Sequence, residues 1–171
     1  MTGVQTCALP IFAIFLSTAS NQPSVEDLIL KGERHLNAWE VSIASDVADR
    51  ALDQSLSDDD RAKANYFKSM VEYYEGNYDQ SLEFGKRAAM SQEAGKGDFS
   101  SLPYILEVSA FGRKFREVET RHFKIRYIHP KDSILTDYAE TVLETAYYEV
   151  GLDLDYYPKG PVVVEIGRAH V

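Results

Sequence analysis

The chain is poor in cysteine, tryptophan and positive charge. Among its 171 residues are one cysteine, Cys7, and one tryptophan, Trp39. A single thiol cannot close an intramolecular disulfide or build a thiolate zinc site. Lysine and arginine number 18 against 27 acidic residues, for a formal charge of -9. Nucleic-acid affinity comes largely from cations that neutralise phosphates, so this balance argues against a nucleic-acid partner. No stretch approaches the roughly twenty apolar residues of a membrane span. Nor is there a Ser-His-Asp spacing, a glycine-rich phosphate loop or a convincing pair of catalytic carboxylates. No HExxH occurs either: His35 is followed by Leu36 and Asn37, and His122 and His129 flank an alternating segment without helical ligand spacing. No catalytic, cofactor-binding or metal-ligating residue is therefore nominated.

What is present falls into two halves. In the first, a shift of 37 residues brings like residues together: Gly32 with Ser69, Ala44 with Ser81, Ala48 with Gly85, Ala51 with Ala88. Bulky positions recur as well, Ile29 with Tyr66, Val41 with Tyr78 and Val47 with Phe84. Such self-similarity is the mark of stacked helical hairpins. Ser24 with Asp27, and Ser57 with Asp60, follow the capping-box pattern of helix starts. Gly76 and Asn77 mark a turn, and Gly95 and Gly97 a helix end. The hairpins are expected over Ser24 to Leu56 and Ser57 to Glu93, with Trp39 packed at the first turn. Pro103 to Val118 reads as a further helix through Ile105, Val108, Phe111, Phe115 and Val118, capping the array or bridging onward.

The run Glu75 to Leu82, with small residues at Ser81, Ala88, Gly32, Ala44 and Ala51, resembles the tetratricopeptide repeat. The period exceeds that family's about 34 residues, with the surplus expected between Ala51 and Ser69, in the acidic stretch Ser57 to Asp60. The proline usual near a repeat's end is absent, with Leu56 in its place. The resemblance implies a protein or peptide partner on the repeat face, and a supporting scaffold is an equal alternative.

From His122 the period changes. Phe123, Ile125 and Tyr127 alternate with Lys124 and Arg126, as in a strand with one buried face. Asp132 or Ser133 then caps an amphipathic helix with the stripe Leu135, Tyr138, Ala139, Val142, Leu143, Ala146, Tyr147, Val150, stopped by Gly151. Pro158, Gly160 and Pro161 lead to Val162, Val163 and Val164, a β-branched run suited to a buried strand. An incomplete sheet there leaves an unpaired, aggregation-prone edge. The order strand, helix, Tyr156 to Pro161, strand resembles the opening of a peptidase-MA-like domain of the gluzincin zinc metallopeptidases, over residues 121–165. The resemblance implies a zinc-dependent parent whose HExxH site lies further along. Zinc is expected only there, and this segment is expected to have no enzymatic activity.

Arg113, Lys114, Arg116, Arg121, Lys124 and Arg126 concentrate positive charge, whereas 132–158 holds seven carboxylates and no lysine or arginine. Both read as solvated faces, free to pair across strand and helix. Of the adjacent tyrosines 73/74, 147/148 and 156/157, one ring of each pair is expected inside.

The ends stand apart. Encoded as ATC GGA AGA GCA CAC GTC, Ile166 to Val171 has a reverse complement that, shifted by one base, translates to Thr6, Cys7, Ala8, Leu9, Pro10 and Ile11. That DNA resembles a sequencing adapter, so 1–11 and 166–171 are expected to be artefactual, with Glu165 ambiguous. Charge is unaffected by their removal, and Cys7 goes with them. Phe12 to Leu16 followed by small residues to Ser20 resembles the tail of a signal peptide, which favours export over a buried helix turn. The expected organisation is thus a possible signal remnant at 12–20, two repeats at 24–97, a capping or linker helix at 98–120 and the α/β piece at 121–165. The fold class is mainly α: a solenoid of helical hairpins followed by a truncated βαβ unit.

Overall fold

The computed structural model describes residues 22–90, 99–158 and 160–167. The adapter-like residues 1–11 and 168–171, the signal-like run 12–20, and Gly95 and Gly97 lie outside the described residues. The chain is mainly helical with a small sheet. Helices α1 (Val25–Asn37), α2 (Val41–Gln54), α3 (Asp58–Tyr74), α4 (Tyr78–Met90) and α5 (Leu102–Gly112) precede strands β1 (Arg116–Glu119) and β2 (Phe123–Tyr127). A single 3-10 turn, Pro130–Ser133, then leads into α6 (Ile134–Leu154) and β3 (Val162–Ile166).

Each hairpin starts as its cap residues dictate. Ser24 Oγ accepts from Asp27 N at 3.1 Å while Asp27 Oδ2 accepts from Ser24 N at 3.1 Å, closing a capping box. Ser57 Oγ likewise accepts from Asp60 N at 3.0 Å, and its hydroxyl donates to Asp60 Oδ2 at 2.7 Å. Asn37 and Tyr74 end the first helices, and Val41 and Tyr78 start the second ones, each pair at the 37-residue period. α3 has 17 residues against 13 in α1, and its extra turn begins at Asp58, Asp59 and Asp60. Carboxylates there suit the positive end of the helix dipole.

Small residues let these helices approach. A β-carbon on Gly32 would overlap the Phe67 ring, and one on Gly85 would stand 2.9 Å from Ser69 Oγ. Ala44, Ala48, Ala51 and Ala88 are fully buried; Ala51 packs in a cluster with Leu28 and Val47, and Ala44 and Ala48 in one with Leu36, Phe67 and Val71. Between α3 and α4 the contact is polar. Ser69 Oγ donates to the Ser81 carbonyl at 2.8 Å and Ser81 Oγ to the Ser69 carbonyl at 2.9 Å. Ser109 of α5 adds its hydroxyl to Ser81 Oγ at 2.9 Å. Buried hydroxyls need partners, and these three satisfy one another.

The helix expected over Pro103–Val118 stops at Gly112. Without a β-carbon, Gly112 lets the Tyr78 ring lie against the backbone. Arg116 to Glu119 then extend as β1, antiparallel to β2 in the register Glu117↔Arg126 and Glu119↔Lys124. Opposite charges across the ladder favour this pairing. Residues 99–120 thus hold α5, which packs on α4 and α3, and then a strand.

The strand–helix–strand unit forms as expected, with β2 and β3 parallel and Ile125 opposite Val164. Phe123, Ile125 and Tyr127 are buried toward α6. β3 lies at the sheet edge, and in place of a buried strand it alternates half-buried and exposed residues, with Val163 exposed. It runs on through Glu165 and Ile166. Gly151 is not the helix stop: α6 continues to Leu154 and ends on Asp155 at φ 48°. Gly151 is instead where the Tyr157 ring packs onto the helix backbone.

Candidate functional site

The first helices of the two hairpins, α1 and α3, enclose a groove of about 260 Å³. Ile29, Leu30 and Glu33 form one wall and Lys63, Tyr66 and Phe67 the other, with Phe99 closing the end ahead of α5. Tyr66 and Phe99 meet edge to face at 4.8 Å, which holds the phenol ring in place. Lys63 Nζ pairs with Asp59 at 2.8 Å, and that bond holds its charge above the ordinary lysine range. Glu26 and Glu33 therefore line an apolar slot whose lysine is already engaged.

A second cleft, of about 280 Å³, lies where the sheet meets the second hairpin. Gly76, at φ 74°, turns its carbonyl to accept from Arg126 Nη1 at 2.7 Å. Arg126 Nε donates to Glu117 at 2.7 Å, and the guanidinium lies 5.8 Å from the Tyr78 ring centre. Tyr78 donates its hydroxyl to Glu165 at 2.7 Å. Burial first, and then that bond, push the phenol well above its ordinary value. Arg126 is thus committed to joining two parts of the fold.

Behind the sheet, Glu144 of α6 gathers donors from the turn before β2. Its Oε1 accepts from Thr120 Oγ1 at 2.7 Å and from His122 N at 2.9 Å, and its Oε2 meets His122 Nδ1 at 2.6 Å. The Thr120 bond first, then those from His122, hold the Glu144 carboxyl down at about 2. The imidazole stacks on Tyr147 at 3.8 Å. This cluster was not anticipated in the sequence, although His122 and Glu144 each fell in segments singled out for other reasons.

The other described histidines are apart: His35 meets Glu40 at 2.6 Å in the first turn, and His129 caps the 3-10 turn. Among the described residues no three His, Cys, Asp or Glu side chains stand together in a metal-ligating group. The basic cluster pairs within its own neighbourhood. Arg113 bonds Asp79, Lys124 bonds Glu119 at 3.2 Å, and Arg126 bonds Glu117. Lys124 and Arg126 take their partners from the antiparallel β1, and Arg113 takes its partner from α4. Trp39 does not pack inside. It is 76 % exposed at φ 60°, touching only the edge of Tyr74 among aromatic rings. Tyr73 and Tyr147 are half-buried with Tyr74 and Tyr148 outside, whereas Tyr156 and Tyr157 are both exposed.

Compared with protein-family models, curated proteins and solved structures, the chain matches none of them. Among the described residues no helix is long and apolar enough to cross a membrane.

Proposed function

We propose that the hairpins form a tetratricopeptide-like interaction module whose α1–α3 groove takes a peptide segment of a partner protein. The observation that carries this reading is the groove itself, since it is lined by equivalent helices of successive hairpins. Repeat arrays offer partners such continuous concave surfaces. Apolar walls supply affinity, and Glu26 and Glu33 orient the bound chain. Panning a displayed random-peptide library on the immobilised protein tests it. Peptides enriched on the native protein should not be retained by Leu30→Glu, and equal retention would place binding elsewhere.

A second reading rests on chain order. Helical hairpins followed by a parallel β2–α6–β3 unit fit the opening of an exported zinc metallopeptidase with its HExxH further along. This segment then serves as scaffold, without activity of its own. Reading the native gene onward from the codon of Val164 separates the two. An HExxH followed by a later glutamate supports the peptidase parent, and a stop codon or more repeats defeats it. Casein hydrolysis or zinc uptake above background by this chain would refute the inactive scaffold.

A further inference from the structure

The outer face of α6 carries a feature that neither reading uses. Leu135, Tyr138, Val142, Thr145, Glu149 and Leu152 follow one another at alternating three- and four-residue steps, which keeps them on one stripe of a helix. All are exposed: Tyr138 is 70 %, Val142 65 % and Leu152 71 % accessible, with Ile134 alongside at 64 %. The opposite side of α6 is already used, where Thr136, Tyr147 and Gly151 pack toward the sheet and Tyr157. α6 thus has a second apolar face, and its spacing is that of a helix-pairing seam. A contiguous exposed patch of this kind marks an interaction surface.

The charge around the seam selects the occupant. Of the carboxylates on α6, Glu149 and Asp153 are exposed at the C-terminal end of the seam, and 132–158 contains no lysine or arginine. Glu149 stands in the seam itself. A second copy of α6 in parallel would set Glu149 against Glu149, which opposes that pairing. The same acids repel an anionic bilayer. A partner helix with leucine-like residues at the seam and lysine or arginine where it meets Glu149 and Asp153 satisfies both the apolar stripe and those acids.

We propose that α6 is a docking helix for a basic amphipathic helix of a partner protein. The test uses the full 171-residue chain and two synthetic, fluorescein-labelled helical peptides. Each matches α6 in length, 21 residues, and has leucine at the seam positions. One is flanked by lysine and the other by glutamate. The lysine peptide should raise anisotropy on titration, and the glutamate peptide should bind at least about tenfold more weakly. Tyr138→Ala with Val142→Ala should weaken the lysine peptide about tenfold with an unchanged circular dichroism spectrum, because both side chains are exposed. Glu149→Lys should narrow the gap between the two peptides.

Lysine-peptide binding that the double variant leaves unchanged would be mere charge attraction and would overturn the proposal. So would failure of both peptides to bind. A dimer of the protein that Val142→Lys dissociates would assign the face to a second copy instead. Apolar capture by zwitterionic vesicles that Tyr138→Ala abolishes would assign it to lipid, and either result rejects the basic helix.

Discussion

At Gly32 the space a methyl group needs is already filled by the Phe67 ring, which is itself fully buried. Gly32→Ala must therefore push Phe67 off its site or part α1 from α3. Overpacking of that kind costs about 1–3 kcal/mol, more than the about 0.5–1 kcal/mol that alanine gains over glycine within a helix. Urea unfolding should show a lower midpoint, while Gly160→Ala, with nothing within 4 Å of a new β-carbon, should leave it in place. A midpoint unchanged by Gly32→Ala would mean that the first hairpin is loosely packed. Glu144 supplies the pH dependence. Its folded carboxyl is held at about 2, below the ordinary 4.5. Stability from its bonds to Thr120 and His122 is then complete above about pH 4.5 and is lost as the pH falls toward 2. Glu144→Gln should flatten the acid limb of a stability–pH curve in that window and lower the plateau above it. A curve parallel to the wild type throughout would show that other carboxylates control acid unfolding.

Among the elements, the helix boundaries that depend on local chemistry were legible, because the deciding residues sit within a turn of the boundary. Ser24, Ser57 and Gly76 each act on their immediate neighbours, and the 37-residue match carried the register from one hairpin to the next. β1 was not legible. Val108, Phe111, Phe115 and Val118 keep helical spacing past Gly112, and what ends the helix comes from afar: Tyr78 on Gly112, and Lys124 and Arg126 beside Glu119 and Glu117. The alternation of Glu117 and Glu119 about Val118 was an available signal. Of the site, the alternation in β2 was plain, but the groove between α1 and α3 needs packing that no single segment encodes. Nor could the stripe on α6 show which of its residues face the sheet; Leu135, Tyr138 and Val142 turn out to face away. Removing a cap tests the local part of this account. Ser57→Ala leaves Asp60 N without its acceptor and should cost about 1 kcal/mol, read as a lower melting temperature. No change would mean that the acidic turn at Asp58 to Asp60 frays in solution and contributes nothing.

Among the described residues the sheet meets the second hairpin at a polar joint. Hairpin arrays gain stability by nearest-neighbour contacts, so α1 and α2 depend on α3, and the sheet depends on the second hairpin through what crosses between them. Among the described residues that crossing includes Arg126 on the Gly76 carbonyl and Tyr78 on Glu165, next to Arg113 on Asp79 and the Tyr78 ring against Gly112 and Phe115 where α5 leads into β1. Arg126 is the member that touches most of the others, since it also binds Glu117 and stands 3.6 Å from Glu165. Arg126→Met keeps the stem and removes the charge, leaving the Gly76 carbonyl and two carboxylates without their cation. Hydrogen bonds to charged groups are worth about 1.5–3 kcal/mol, so the joint should weaken by an amount of that order. Because the loss falls between units, its effect should be uneven. Amides of β1, β2, β3 and α6 should exchange faster in native-state hydrogen exchange, those of α4 and α5 should follow in part, and those of α1 and α2 should keep their protection. A uniform rise in exchange across every helix would instead make the chain a single cooperative unit, in which the hairpins cannot hold their groove without the sheet behind them.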